Sequence, residues 1–270
     1  ANNKIWIVLG EFAPMDRGIY NIGYLTIGET PDSNGCYTYT HLKTVTLYDD
    51  YWRGLSMLRP EDYDGGFYVH ADTNTIYLSS LSIDYGKSYI SAIDMTTGGT
   101  IWEKYVDSAR GCGKPFAIVD GKLYCTGYNH RVGSTVDCLL FSMDADTGEN
   151  EETFIPDFWN GTRISYYYRT YQMLLNGADI GNGVLAMHSS PYGLALFNTS
   201  TKLWSVINNT NTPGLTLDGR YNYTMFSQIV FDEETNLIIF GDWESKGVVA
   251  VNKDGAIKRS YYSTGTYSGA

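Results

Sequence analysis

The chain is 270 residues long, with 24 tyrosines, 29 glycines, 18% charged residues and a formal net charge of −11. That length can bury a large core, and the composition suits pleated strands joined by tight turns rather than amphipathic helices. The acidic balance lacks the positive field that phosphate backbones need, which argues against nucleic acid as a general partner; no run of 18 apolar residues is present to form a transmembrane segment.

The chain opens at Ala1 rather than Met, with a strand pattern directly after it. This fits a mature secreted product whose leader has been removed, so an extracellular location is expected. Three strand-like segments come first: KIWIVLGE from Lys4, NIGYLTIGE from Asn21 and GCYTYTHLKTVTL from Gly35. Four longer units follow, each with one further strand in front. Their first strands are GGFYVHAD from Gly65, KPFAIVD from Lys114, YQMLLNG from Tyr171 and MFSQIVF from Met225; their second strands begin at Thr75, Lys122, Gly183 and Asn236. The third strand of each unit runs into a polar turn of the form Ala-x-Asp/Asn-x-x-x-Gly or a close variant. The turn residues Asp94, Asp144, Asn198 and Asn252 recur at intervals of 50, 54 and 54. A fourth strand follows each turn: TIWEKYV, ETFIPD, KLWSVIN and AIKRSYY.

Self-similarity at this period, with short antiparallel strands, predicts an all-β fold: a single β-propeller of about five four-stranded antiparallel blades. The blades are expected at 65–106, 114–155, 171–208 and 225–261, with 1–46 completed by 263–270. The first unit lacks its leading strand, and the C-terminal tail is the spare segment that can supply it. That closure leaves no open edge. A β-sandwich of ten or more strands is the alternative.

The turn Ala92-x-Asp94-x-x-Thr97-Gly98-x-x-x-Trp102 resembles the tryptophan-docking motif of the quinoprotein-like (PQQ-like) β-propeller repeat. In that family the Trp packs between blades and the Asp/Thr-Gly turn links the third and fourth strands. The second repeat keeps Ser142, Asp144, Thr147 and Gly148 but carries Glu152 in place of Trp; the third keeps Trp204, and the fourth keeps Ala250, Asn252 and Gly255. The resemblance implies fold rather than activity. Quinone-dependent dehydrogenases with this pattern are eight-bladed and longer, and many hold the cofactor against adjacent cysteines. This chain has no adjacent cysteines, and no cofactor is expected.

No nucleophile elbow, zincin, Walker or dinucleotide motif is present. Asp144, Asp146 and Glu149 superficially resemble a calcium loop, but the same letters serve the propeller turn, and no metal is expected. The histidines, His41, His70, His130 and His188, share no ligand or triad spacing. Cys125 and Cys138 flank one hairpin, as a disulfide or as buried thiols. Four N-x-S/T sequons, at Asn160, Asn198, Asn208 and Asn222, permit a glycoprotein without requiring one.

The charges are distributed unevenly. In a propeller, the loops joining second to third strands and fourth to first strands share one face, at the mouth of the channel. Seven of nine arginines fall in these loops: Arg17, Arg53, Arg59, Arg110, Arg131, Arg163 and Arg220. Trp52, Trp159, Tyr167 and Tyr221 lie in them too. Arg with Tyr and Trp is the composition of binding hot spots and suits stacking and bidentate pairing. The candidate ligand-binding set is therefore Arg17, Trp52, Arg53, Arg110, Arg131, Trp159, Arg163, Tyr167, Arg220 and Tyr221.

No catalytic constellation accompanies it. The expected function is an extracellular non-catalytic binding or scaffold protein that recognises a protein or glycan through this face. Two alternatives stand beside it. One is a carbohydrate-active hydrolase or lyase using carboxylates such as Asp50, Glu61 or Asp157. The other is a structural subunit of a larger surface or virion assembly, for which self-assembly is expected.

Overall fold

The structure is a computed structural model and describes residues 3–13, 17–48, 65–82, 87–106, 114–129, 137–156, 173–190, 193–208, 229–242 and 247–262. Among them are nineteen β-strands and no helix. The first sheet has three strands, β1 (Lys4–Ala13), β2 (Arg17–Thr26) and β3 (Thr40–Tyr48), in the order β1-β2-β3. The second comprises β4 (Gly65–His70), β5 (Thr75–Ser82), β6 (Lys87–Asp94) and β7 (Thr100–Val106). The third comprises β8 (Lys114–Val119), β9 (Lys122–Asn129), β10 (Asp137–Asp144) and β11 (Glu152–Phe154). The fourth comprises β12 (Met173–Asp179), β13 (Val184–Ser190), β14 (Gly193–Asn198) and β15 (Trp204–Ile207); the fifth comprises β16 (Val230–Asp232), β17 (Leu237–Asp242), β18 (Gly247–Val251) and β19 (Ile257–Tyr262). In each sheet, chain neighbours are sheet neighbours. Among the described residues the first sheet has three strands, with no leading strand beside β1. The tail expected to replace it, 263–270, lies outside the described residues.

The chain divides into two compact units, Ala1–Pro115 with Met143–Glu151, and Phe116–Ser142 with Glu152–Ala270. In the first unit, Ile22 meets Ile76, Leu78, Ile93 and Met95, with Trp6, Leu42, Val45 and Val69 around them. In the second, Ala186, Leu194, Leu196 and Ile207 of the fourth sheet pack on Ile238, Phe240, Val249 and Val251 of the fifth. On the other side of the fourth sheet, Phe197 lies 4.8 Å, ring to ring, from Phe154 of β11. This sandwiching explains the run GLALFN of β14, which is buried almost throughout rather than alternately. The outer strand β7 alternates instead, leaving Ile101, Glu103 and Tyr105 exposed.

The turn chemistry holds each hairpin shut. Asp94 Oδ1 accepts hydrogen bonds from the backbone N–H of Thr96 (2.9 Å) and Thr97 (2.6 Å) and from Thr97 Oγ1 (2.8 Å). Asn198 Oδ1 accepts from Ser200 N (3.0 Å) and Thr201 N (2.8 Å) in the same way. The backbone closures are homologous: Asp94 N donates to Gly99 O, Asp144 N to Glu149 O, Asn198 N to Leu203 O, and, in a turn one residue shorter, Asn252 N to Ala256 O. The residue before closure is left-handed in all four turns, with φ of 69° at Gly98, 70° at Gly148, 60° at Lys202 and 82° at Gly255. Asp144 also takes the side-chain amide of Asn150, so its carboxylate serves the hairpin.

The N–H and hydroxyl donors from Thr97 hold the Asp94 carboxyl below its ordinary value of 3.8. A depressed folded value stabilises the protein above the unfolded value and loses that contribution as pH falls through the folded one. The urea midpoint is therefore expected to fall as pH drops below the ordinary carboxylate range. Asp94→Asn keeps the acceptor that Asn198 uses in the equivalent turn and removes the titration, so its midpoint is expected to change less over that range. Equal pH dependence in both proteins would contradict this assignment.

Candidate functional site

The strand ends place the candidate ligand-binding residues on one set of connections. Arg17 is the first residue of β2, paired with Ala13 and Tyr48. Trp52 and Arg53 lie in the β3–β4 connection, Arg110 in β7–β8, Arg131 in β9–β10, Trp159, Arg163 and Tyr167 in β11–β12, and Arg220 and Tyr221 in β15–β16. Apart from the backbone of Arg17, this set lies outside the described residues. In the four-stranded sheets, antiparallel order sends these connections out at the end opposite the turns after Asp94, Asp144 and Asn198; in the first sheet Arg17 follows the short connection 14–16, and the longer 27–39 lies at the opposite end.

The described site of specific chemistry lies at those turns. Trp102 Nε1 donates to Ala145 O at 2.8 Å, and the hydroxyl of buried Tyr77 donates to the same carbonyl at 3.2 Å. The indole covers Gly148, where a Cβ would meet Trp102 ring carbons at 2.7–3.0 Å. Lys104 Nζ adds an ion pair to Glu149 Oε2 at 3.0 Å. Tyr77 and Trp102 continue an aromatic series across the sheet from Tyr68, with ring centroids 6.4 and 6.0 Å apart.

The position of Trp102 is defined by register. It faces Ala92, with a bulge between the pairs at Ala92 and Ile93. In the first sheet a similar bulge puts Lys43 opposite Ile22, and Lys43 Nζ donates to Thr100 Oγ1 at 2.5 Å. In the third sheet Glu152 stands opposite Ser142 and reaches Lys202 Nζ at 3.5 Å. Trp204 departs from the pattern. It lies opposite Phe197, without a bulge, and Ser205 takes the register position opposite Leu196. The Trp204 ring consequently lies tilted against Phe197, centroids 4.7 Å apart, on the side of the sheet that faces Phe154. A one-residue difference in register sends a side chain to the other face. The signal was present in the spacing: Trp204 follows Asn198 by six positions, whereas Trp102 follows Asp94 by eight.

Other titratable groups have local explanations. Burial together with the carboxylates of Glu152 and Asp120 pushes the Tyr124 hydroxyl up to about 12. Burial lowers Lys114 and raises Tyr39, whose hydroxyl donates to Asn21 O at 3.1 Å. His41 bonds Thr44 and His70 bonds Thr73, each through its ring nitrogen, while buried His188 lies edge-on to Phe240. His130 lies outside the described residues. Among the described residues no group of three His, Cys, Asp or Glu side chains is placed to hold a metal. Cys125 is fully buried in β9; the side chain of Cys138 lies outside the described residues.

Repeated antiparallel sheets packed in series, with a tryptophan-docked turn between repeats, are the construction of a propeller-type repeat protein. No protein-family model matches the chain, and no curated protein matches it in sequence. Among solved structures it is similar to a europium-containing methanol dehydrogenase, with a TM-score of 0.52 and 12% identity over 97% of this chain and 50% of that one. It is also similar to BamB from Moraxella catarrhalis (TM-score 0.47, 15% identity, 97% and 74% coverage) and to a chain of a nidogen/laminin complex (0.49, 13%, 97% and 81%). The chain thus spans half the length of the methanol dehydrogenase. The resemblance to the quinoprotein-like β-propeller repeat holds at the level of fold.

Proposed function

We propose that the protein is an extracellular, non-catalytic binding or scaffold module that recognises a protein or glycan through the Arg-, Tyr- and Trp-bearing connections. One observation carries this reading: in the four-stranded sheets, one end is closed by turns that bond to themselves. At the hairpin end, the side chains of Asp94, Asn198 and Asn252 accept hydrogen bonds from their own turns. The other end receives the connections that carry the Arg, Tyr and Trp residues, the side-chain types that binding hot spots favour. The same reading has the tail, 263–270, completing the first sheet beside β1, so that the ring presents one continuous mouth.

Glycan arrays and pull-downs test the proposal, using the whole chain and variants at Arg53, Arg131 and Arg163. A ligand held by the wild type and weakened about tenfold or more by single Arg→Ala changes is expected, the scale of a hot-spot residue. Turnover of a sugar substrate without retained ligand would replace this reading with a hydrolase or lyase. A defined multimer in solution, with no ligand captured, would replace it with a structural subunit.

A further inference from the structure

We propose that the residue at the docking register of one sheet and the left-handed residue of the turn it meets form an exchangeable pair, and that this pairing determines which turn each sheet accepts. The inference concerns how the degenerate repeats are kept in order and stands independently of the ligand.

Two seams show the alternatives. Trp102 meets Gly148, and the ring fills the space that any Cβ there would need. Glu152 follows Asp144 at the spacing by which Trp102 follows Asp94, and it meets Lys202, which follows Asn198 as Gly148 follows Asp144. Lys202 keeps a left-handed backbone, φ 60°, while carrying a full side chain. That conformation disfavours a residue with a Cβ, so the position would ordinarily select glycine. Lys202 is accommodated because the slender Glu152 leaves open the volume an indole would take. Its ammonium then lies 3.5 Å from Glu152 Oε2 and 4.6 Å from the centre of the Phe154 ring. The first seam follows the same steric rule. Leu42 O and Lys43 Cβ would stand 2.9 and 3.4 Å from a Cβ at position 98, and the residue there is Gly98. A glycine stands where the preceding strand fills the Cβ space, and a side chain stands where it does not.

The consequence is selectivity among turns that are otherwise alike. A turn carrying Lys202 cannot seat beneath an indole, and a turn carrying Gly148 offers Glu152 no cation at that position. Repeats with interchangeable seams could dock out of sequence; mismatched pairs oppose that.

Glu152→Trp, Lys202→Gly, the double variant, Gly148→Lys and Trp102→Glu/Gly148→Lys are compared by urea unfolding of the full chain. Glu152→Trp and Gly148→Lys are each expected to lower the midpoint or abolish folding. Glu152→Trp/Lys202→Gly is expected to recover the wild-type midpoint, and Trp102→Glu/Gly148→Lys to exceed Gly148→Lys alone. Such sign-reversing coupling is what a matched pair predicts. If neither double variant unfolds later than its destabilised single parent, or if Glu152→Trp alone matches wild type, the positions are independent and the proposal fails.

Discussion

Trp102→Ala is expected to destabilise the protein by about 3 kcal/mol, toward the lower end of losses for large aromatic truncations because the ring is half-buried. Three losses combine in that change. The indole leaves the surface of Gly148, its contact with Tyr77 disappears, and Ala145 O retains only the longer of its two side-chain donors, the Tyr77 hydroxyl at 3.2 Å. Trp102→Phe separates them. It keeps much of the packing and removes the N–H, so its cost is expected to be about 1 kcal/mol, the scale of one net hydrogen bond. Urea denaturation of the three proteins measures both values. A loss below about 0.5 kcal/mol for Trp102→Ala, the ordinary range of surface substitutions, would show that the turn seats without the indole.

Gly177→Ala is expected to cost about 3 kcal/mol, at the upper end of overpacking penalties. Gly177 sits just after a register shift in the β12–β13 pair, where Asn176 has φ 39°. A Cβ there would collide with Phe116 Cδ2 and Cε2 and stand 2.6 Å from Cγ. Phe116 is itself only 8% exposed, so its ring has little room to withdraw. Phe116→Leu in the Gly177→Ala background is expected to recover part of the loss, because the smaller side chain vacates the ring position. If Gly177→Ala alone leaves the urea midpoint unchanged, the close approach of β12 to Phe116 is wrong.

These two sites differ in how readily they can be read from the chain. The docking turn was legible because Asp94, Thr97, Gly98 and Trp102 are local in sequence and each has a turn-specific task. Gly177 carries no comparable mark. Its reason is Phe116, some sixty positions earlier, and only packing brings the two together. Trp204 shows the opposite hazard: the right residue in nearly the right place. Identity suggested a second docking tryptophan, whereas the spacing of six from Asn198 seats it opposite Phe197, as Thr100 sits opposite Ile93, and the ring faces Phe154. Among the candidate binding residues, Arg17 is located by strand register and the others by the connections to which they belong.

The sequence by itself determined the strand content, the order of strands within each sheet, the incomplete first unit and the recurrence of the polar turn. These follow from short-range physics: alternation at a period of two, turn residues that satisfy their own backbone, and hairpins too short to permit anything but antiparallel neighbours. Only the tertiary structure decided which partner each outer-strand side chain finds, so that Lys43, Trp102 and Glu152 meet the next turn. Those outcomes depend on single-residue bulges and on the volume left by a neighbouring sheet. Both are set by packing between segments distant in the chain, where one residue of register reverses a face and one Cβ decides whether an indole fits.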